Sequence, residues 1–157
     1  MTTEIERKFM LDEAPPSEQL DAGVHFRQGY LAEEGAVEVR VRITPADATL
    51  TVKAGAGVSR TEVDLPIAVE RAEALWPHTL GRRIDKTRHR VALDDTLGHV
   101  AEVDLYAGVL AGLCVVEVEF SSETEAEAFV PPAWFGRELT GESGWTNAAL
   151  ARHGRPD

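Results

Sequence analysis

Val37-Glu38-Val39-Arg40-Val41-Arg42-Ile43 alternates apolar and charged residues without a break. A period of two puts Val37, Val39, Val41 and Ile43 on one face of an extended chain and Glu38, Arg40 and Arg42 on the other. The stretch predicts a β-strand, and the same pattern spreads from it in both directions. Downstream, Leu50 and Val52 alternate with Thr49, Thr51 and Lys53, and Val63, Leu65 and Ile67 alternate with Glu62 and Asp64. Val103 and Leu105 alternate with Glu102, Asp104 and Tyr106, and Cys114, Val116, Val118 and Phe120 with Val115, Glu117 and Glu119. Residues 84–90 carry Lys86, Arg88 and Arg90 on one face; upstream, residues 4–9 carry Glu4, Glu6 and Lys8 on one face. Turn residues separate the runs: Glu33-Glu34-Gly35, Pro45-Ala46-Asp47, Ala54-Gly55-Ala56-Gly57, Asp94-Asp95 through Gly98, and Ala107-Gly108. Three short helices are expected. One covers residues 69–80, with Pro77 disturbing its last turn. A second starts at Ser121/Ser122 with Glu125 following and runs to about residue 130. The third covers residues 145–153. No repeat or low-complexity linker divides the chain, so residues 1–157 read as one domain.

Composition removes several classes of function. The formal net charge is −11, which opposes coating of nucleic acid or docking on anionic lipid. No apolar run approaches the ~18 residues of a membrane span. The first residues have neither the basic nor the apolar part of a secretory signal, and the expected location is the cytoplasm. The single cysteine, Cys114, excludes an internal disulfide and a Cys-based zinc site; it lies with the apolar set and reads as core. The five histidines lack metal-ligand spacing and read as surface or loop residues. Lys86-Thr87 lacks the glycines of a phosphate-binding loop, having Asp85 and Leu80 in their places. Charge is nonetheless uneven: ten basic and seven acidic residues fall between Val37 and Arg90, inside a chain that is acidic overall.

The polar faces are unusual in density and order. Pairs at i, i+2 recur: Glu4 and Glu6 with Lys8, Arg40 and Arg42, Lys86 and Arg88, Glu117 and Glu119. Like charges on neighbouring strands repel, so such faces need an organising ligand. Arginine and lysine pairs suit phosphate oxygens. Carboxylate pairs suit a hard divalent cation that binds together with phosphate. A closed barrel with a charged lumen would gather both sets around one cavity, leaving an apolar outer face for the helices to cover.

Glu4-Ile5-Glu6-Arg7-Lys8 resembles the N-terminal Glu-x-Glu-x-Lys of the CYTH, or triphosphate tunnel metalloenzyme, superfamily. The resemblance continues in order through Gln28-Gly29-Tyr30-Leu31, Val39-Arg40-Val41-Arg42, Leu50-Thr51-Val52-Lys53, Arg60-Thr61-Glu62 and Ile84-Asp85-Lys86-Thr87-Arg88. It ends in Glu102-Val103-Asp104, Val116-Glu117-Val118-Glu119, residues 135–140 and Asn147-Ala148-Ala149-Leu150, nearly the whole chain. It implies an α+β, mainly antiparallel fold, an eight-stranded closed barrel flanked by a few short helices. It also implies hydrolysis of triphosphates, or cyclisation of ATP, with Mg²⁺ or Mn²⁺. Carried over by position, Glu4, Glu6, Glu62, Asp104, Glu117 and Glu119 would hold metal. Lys8, Arg40, Arg42, Lys53, Lys86 and Arg88 would grip phosphates. Two positions depart from the pattern. Trp145 stands two residues before Asn147, and Ala101 replaces a tryptophan three before Asp104; these bear on substrate preference rather than on the charged set.

The expected reaction is hydrolysis of a linear triphosphate, inorganic tripolyphosphate first, to pyrophosphate and phosphate. Metal would bridge phosphate oxygens and acidify the attacking water, and the Arg/Lys clamp would neutralise charge developing on the transferred group. Lys86, with Tyr30 nearby, is the expected base. Alternatives on the same fold are a class IV-type adenylate cyclase, a nucleoside or thiamine triphosphatase, and a non-catalytic polyphosphate- or nucleotide-binding barrel. The expected partners are a small polyphosphate and, from the resemblance, a second copy of the chain in a homodimer, with no nucleic acid and no membrane.

Overall fold

The computed structural model describes residues 2–56 and 58–157. The fourth residue of the turn expected at 54–57, Gly57, lies outside them. The elements follow as β1 (Thr2–Met10), β2 (Val24–Glu34), β3 (Val37–Ile43), β4 (Ala48–Ala54), β5 (Ser59–Ile67), α1 (Val69–Leu75), β6 (Arg83–Ala92), β7 (Val100–Tyr106), β8 (Cys114–Glu119), α2 (Glu123–Ala128) and α3 (Asn147–His153). The eight strands close in the order β1-β5-β4-β3-β2-β6-β7-β8, antiparallel at every seam. Closure leaves no sheet edge unpaired.

Register carries the parity of each strand around the ring. Glu4 faces Arg60, Lys8 faces Glu117, Lys53 faces Glu62, Tyr30 faces Arg40 and Arg88 faces Asp104, so the charged positions share the inner side. The apolar positions consequently point outward, and other parts of the chain cover them. The 129–135 segment and α2 pack on Phe9, Val103, Val116 and Val118, the last three with no exposed surface. Each such side chain stabilises the fold by roughly 1.5–3 kcal/mol. Over β3 and β4, α1 buries Val41, Ile43 and Ala48 with Ala72. Leu139, Trp145 and Leu150 close one end of the barrel against Ile84, Tyr106 and Val115. Cys114 is buried, as its place in the apolar set predicts.

Two glycines are required by close approach. A Cβ on Gly29 would lie 2.6 Å from Thr79, and one on Gly136 would lie 2.5 Å from the Met10 carbonyl oxygen. The first lets the turn after α1 sit against β2; the second lets the chain returning to β1 donate Gly136 N–H to that carbonyl at 2.9 Å.

The helix boundaries differ from expectation. Residues 69–80 split into α1 and a 3₁₀ turn over Trp76–Thr79, because Pro77 has no N–H for an α-helical bond. The second helix ends at Ala128, its Ser122 hydroxyl accepting from Glu125 N–H as the sequence implies. The third begins at Asn147, not Trp145: Thr146 caps it by accepting from Ala149 N–H, and Trp145 belongs to the preceding 3₁₀ turn.

Candidate active site

A cavity of ≈ 360 Å³ runs into the barrel. Its walls carry Glu4, Glu6, Lys8, Arg40, Arg42, Lys53, Arg60, Glu62, Arg88, Glu117 and Glu119, and the 139–147 segment completes the lining. That volume falls in the range of small-molecule sites, roughly 300–1,000 Å³. These side chains are not a solvated surface: Lys8, Arg40, Lys53 and Glu117 are all buried.

One group of charges lies where β1, β4 and β5 adjoin. Lys53 Nζ donates to both Glu4 carboxylate oxygens at 2.8 Å and lies 3.1 Å from Glu62 Oε2. Arg60 Nη2 donates to Glu4 Oε2 and Glu6 Oε1, both at 3.3 Å. Burial raises the Glu4 carboxyl, but Lys53, Glu62 and Arg60 together outweigh it and the net shift is downward. Glu6 goes the other way: burial, then Glu117 and Glu4 beside it, push it up to about 7. Burial also pushes Glu62 up to about 7, and burial with Glu102 and Glu4 raises Glu119. Carboxylates here outnumber the positive charge that could neutralise them.

A second group lies deeper, where β6, β7 and β8 meet. Arg88 forks onto Asp104, with Nε to Oδ1 and Nη2 to Oδ2 at 2.7 Å each, and Nη2 also reaches Glu117 Oε2 at 2.7 Å. Lys86 Nζ donates to Asp104 Oδ2 at 2.6 Å, and neither side chain has any exposed surface. Lys8 Nζ is 3.6 Å from Glu117 Oε1. Burial pulls the Lys86 ammonium down to about 7, against the opposing pull of Asp104. Burial opposes ionisation of Glu117, but Arg88 and Lys8 hold it well below the usual carboxylate range.

Two cations differ from the rest. Arg40 and Arg42 make no ion pair among the described residues. Arg40 is 5% exposed, and its Nε has no hydrogen-bond partner among them. Arg42 Nε donates to Gln28 Oε1 at 3.0 Å, and its guanidinium lies 4.4 Å from the Phe26 ring centre. Burial and the neighbouring Arg40 and Arg88 bring Arg42 down to about 10. An unpaired buried guanidinium is costly unless an anion arrives.

The expected site residues therefore fall into two sets. Glu4, Glu6, Glu62, Glu117, Glu119, Lys8, Arg40, Arg42, Lys53 and Arg88 line the cavity. Asp104, Lys86 and Tyr30 have no exposed surface and stand behind it. Both Asp104 oxygens already accept from Lys86 and Arg88, so its evident work is to hold those cations. Lys86 and Tyr30 are not side by side as expected. Register sets Phe26 opposite Lys86, and Tyr30 lies four residues further along β2 opposite Arg40. Tyr30 accepts from Gln28 Nε2 at 2.7 Å, and burial pushes its hydroxyl up to about 12. Sequence reasoning gave no role to Arg60, Gln28 or Phe26. Arg60 could have been found, since it shares parity with Glu62 and so faces inward.

Among the described residues, no three His, Cys, Asp or Glu side chains form a cage able to hold an ion by themselves. The donors offered are oxygen only, in pairs, and Glu6 and Glu119 are raised by burial and then by neighbouring carboxylates. That set fits a hard divalent cation which takes one or two carboxylates and completes its shell with phosphate and water.

Relatives match this chain over nearly its full length. An inorganic triphosphatase of Nitrosomonas europaea is 46% identical over 150 residues, covering 95% of this chain and 97% of the relative. One of Acetivibrio thermocellus is 33% identical over 155 residues, covering 98% and 96%. A crystal structure of an inorganic triphosphatase superposes with a TM-score of 0.72 at 41% identity and 99% coverage of both chains. A Hippeastrum protein described as a putative adenylyl cyclase with a dominant triphosphatase activity has a TM-score of 0.64 at 13% identity, covering 98% of this chain and 97% of that one, and shares the fold. With the CYTH domain model matching residues 2–143 of a barrel whose lumen holds the charged pairs, the chain belongs to the CYTH domain family.

Proposed function

We propose that this protein hydrolyses a linear triphosphate, inorganic tripolyphosphate first, to pyrophosphate and phosphate, with Mg²⁺ or Mn²⁺. The observation that carries the reading is two lumenal guanidiniums, Arg40 buried with its Nε unpartnered and Arg42 half-buried, neither in an ion pair among the described residues, on a wall that faces paired carboxylates. The names of the relatives agree with it.

In this reading Glu4, Glu6, Glu62, Glu117 and Glu119 hold the cation, which when bound neutralises phosphate charge and acidifies water. Arg40, Arg42, Lys8 and Lys53 hold the phosphate chain. Arg88 is aimed by Asp104 and keeps one hydrogen bond to Glu117. Catalysis of phosphoryl transfer is mostly positioning and electrostatics, which these fixed cations supply. Lys86 is retained as the proposed proton acceptor; its contact with Asp104 has to open for the amine to reach the cavity.

Phosphate release from tripolyphosphate, ATP and thiamine triphosphate, each with Mg²⁺, with Mn²⁺ and with chelator, tests the reading. Metal-dependent release chiefly from tripolyphosphate, abolished in Glu119→Gln, is the expected result. Conversion of ATP to cyclic AMP and pyrophosphate would replace it with a cyclase.

We propose the cytoplasm as the location; among the described residues no helix is long and apolar enough to cross a membrane. A second copy of the chain is the partner we propose, from the resemblance, and on the outer face of β5 Val63 and Leu65 stay 38% and 47% exposed. Light scattering is expected to give twice the chain mass, and Leu65→Glu the monomer mass. A monomeric wild type at high protein concentration rejects the pairing.

A further inference from the structure

Arg60 has a geometry that the phosphate clamp does not need. It is the second residue of β5, opposite Glu4, and its Nη2 bridges one oxygen of Glu4 and one of Glu6. Those two carboxylates stand at i, i+2 on the inner face of β1, where a shared divalent ion would take the same two oxygens. The guanidinium therefore occupies the metal's place on this pair.

The bridge is built to release. Both contacts are 3.3 Å, longer than the usual 2.7–2.9 Å for charge-assisted bonds. Lys53, the other cation on Glu4, donates to both of its oxygens at 2.8 Å and is only 6% exposed. Arg60 is 17% exposed and lines the mouth of the cavity beside Gly55 and Ala56. Two cations cannot share one carboxylate pair at contact distance without strong repulsion. The remaining charges that face Arg60 are Glu38 and Glu117. Glu117 is already taken by Arg88, which leaves Glu38 and an incoming phosphate, the phosphate carrying the greater charge.

We infer that Arg60 is an internal counter-cation: it holds the Glu4–Glu6 pair in the metal-free protein, yields it to the divalent ion, and passes to the triphosphate. This rests on the metal-dependent reading above. The consequence is cooperativity. Free metal binds weakly because it must expel Arg60, and a triphosphate lowers that cost by accepting the guanidinium. Couplings of this kind are commonly about 5- to 150-fold.

Calorimetric titration of Mn²⁺ alone into chelator-treated protein tests the inference. Arg60→Gln is expected to bind Mn²⁺ at least about fivefold more tightly than wild type. The same variant should raise KM for the metal–tripolyphosphate substrate, so the two affinities move in opposite directions. Arg42→Gln removes the same charge from the cavity wall without touching Glu4 or Glu6, and should tighten Mn²⁺ much less. Unchanged or weaker Mn²⁺ binding in Arg60→Gln overturns the proposal, as does equal tightening in Arg42→Gln, which would mean a general field. Absence of Mn²⁺ binding in wild type and both variants overturns the metal reading itself, and the inference with it.

Discussion

Asp104 shows what a buried charge does in this protein. It has no exposed surface, and two cations converge on its two oxygens. Desolvating such a cluster costs several kcal/mol per ion, so its net stabilisation is small while it is intact. Removing one member is different, because the others are left buried and unpaired. Asp104→Ala should lower stability by about 3–5 kcal/mol, read from the urea midpoint. Adding Lys86→Met to that variant should recover part of the loss, since one orphaned ammonium is removed. A loss under about 1 kcal/mol would show that water reaches the cluster. Tyr30 lies outside the alternating runs, and alternation puts only Asp104 and Lys86 on the charged inner face. It does not show that they stand behind the cavity wall, because parity fixes a face and not a depth. Depth is set by the stagger of eight strands around the ring, a property of the pairings rather than of any one strand. The same gap explains Tyr30, which sequence proximity to the Arg40 motif could not place relative to Lys86.

At the level of elements, the covering pieces are held by contacts between segments distant in the chain. His99, at the start of β7, reaches both Asp95 Oδ2 at 2.6 Å and Glu125 Oε1 of α2 at 2.8 Å. Its ring lies edge-on to Phe120 and Phe129, so this histidine, in a loop as expected, is packed against the core rather than free in solvent. Glu125 is also held by Ser121, from both its N–H and its hydroxyl. Burial alone would lower the imidazole, but the bonds to Asp95 and Glu125 outweigh it and raise it above its ordinary 6.5. A raised folded value means the contribution is complete below pH 6.5 and fades as pH rises through the folded value. Asp95 and Glu125 are lowered, mainly by bonds to His99 and Ser121, so their share is present above the ordinary carboxylate values and fades in acid. The latch on α2 is strongest in the window between. The difference in Tm between wild type and His99→Gln should therefore be largest near pH 5–6 and shrink toward pH 9. A difference that stays constant over that range would mean the ring acts only by packing. The reach to α2 had no local signal, because His99 and Glu125 are separated by the whole β7–β8 hairpin. The capped start of α2 did have one, and it was readable.

Seen as a whole, the molecule reverses the ordinary sheet: the apolar face is outside and the charged face encloses the cavity. The barrel was legible because seven runs of period-two alternation with charged faces call for one enclosed cavity, the eighth strand, β2, being supplied by the resemblance alone. Its closing end was legible only in part, since the packing of Trp145 and Leu150 on Tyr106 depends on where the C-terminal segment returns. A lumen of opposed charges is a poor core by itself, and its ligands should stabilise it by binding the folded state alone. A ligand present at 100 times its Kd adds about 2.7 kcal/mol. For a chain of this length each kcal/mol raises Tm by roughly 2–4 °C, so a shift of roughly 5–11 °C is expected at that excess. The distribution of charge makes the shift depend on both ligands. Mg²⁺ alone must displace Arg60 from Glu4 and Glu6, and a polyphosphate alone must enter beside crowded carboxylates such as Glu6, raised by burial and by Glu117 and Glu4. Thermal unfolding with Mg²⁺, with a non-hydrolysable imido analogue of tripolyphosphate, and with both should show a joint shift larger than the sum of the separate ones. A simple sum would mean that the two ligands do not meet in the cavity, and the carboxylate and guanidinium walls would then be serving separate sites.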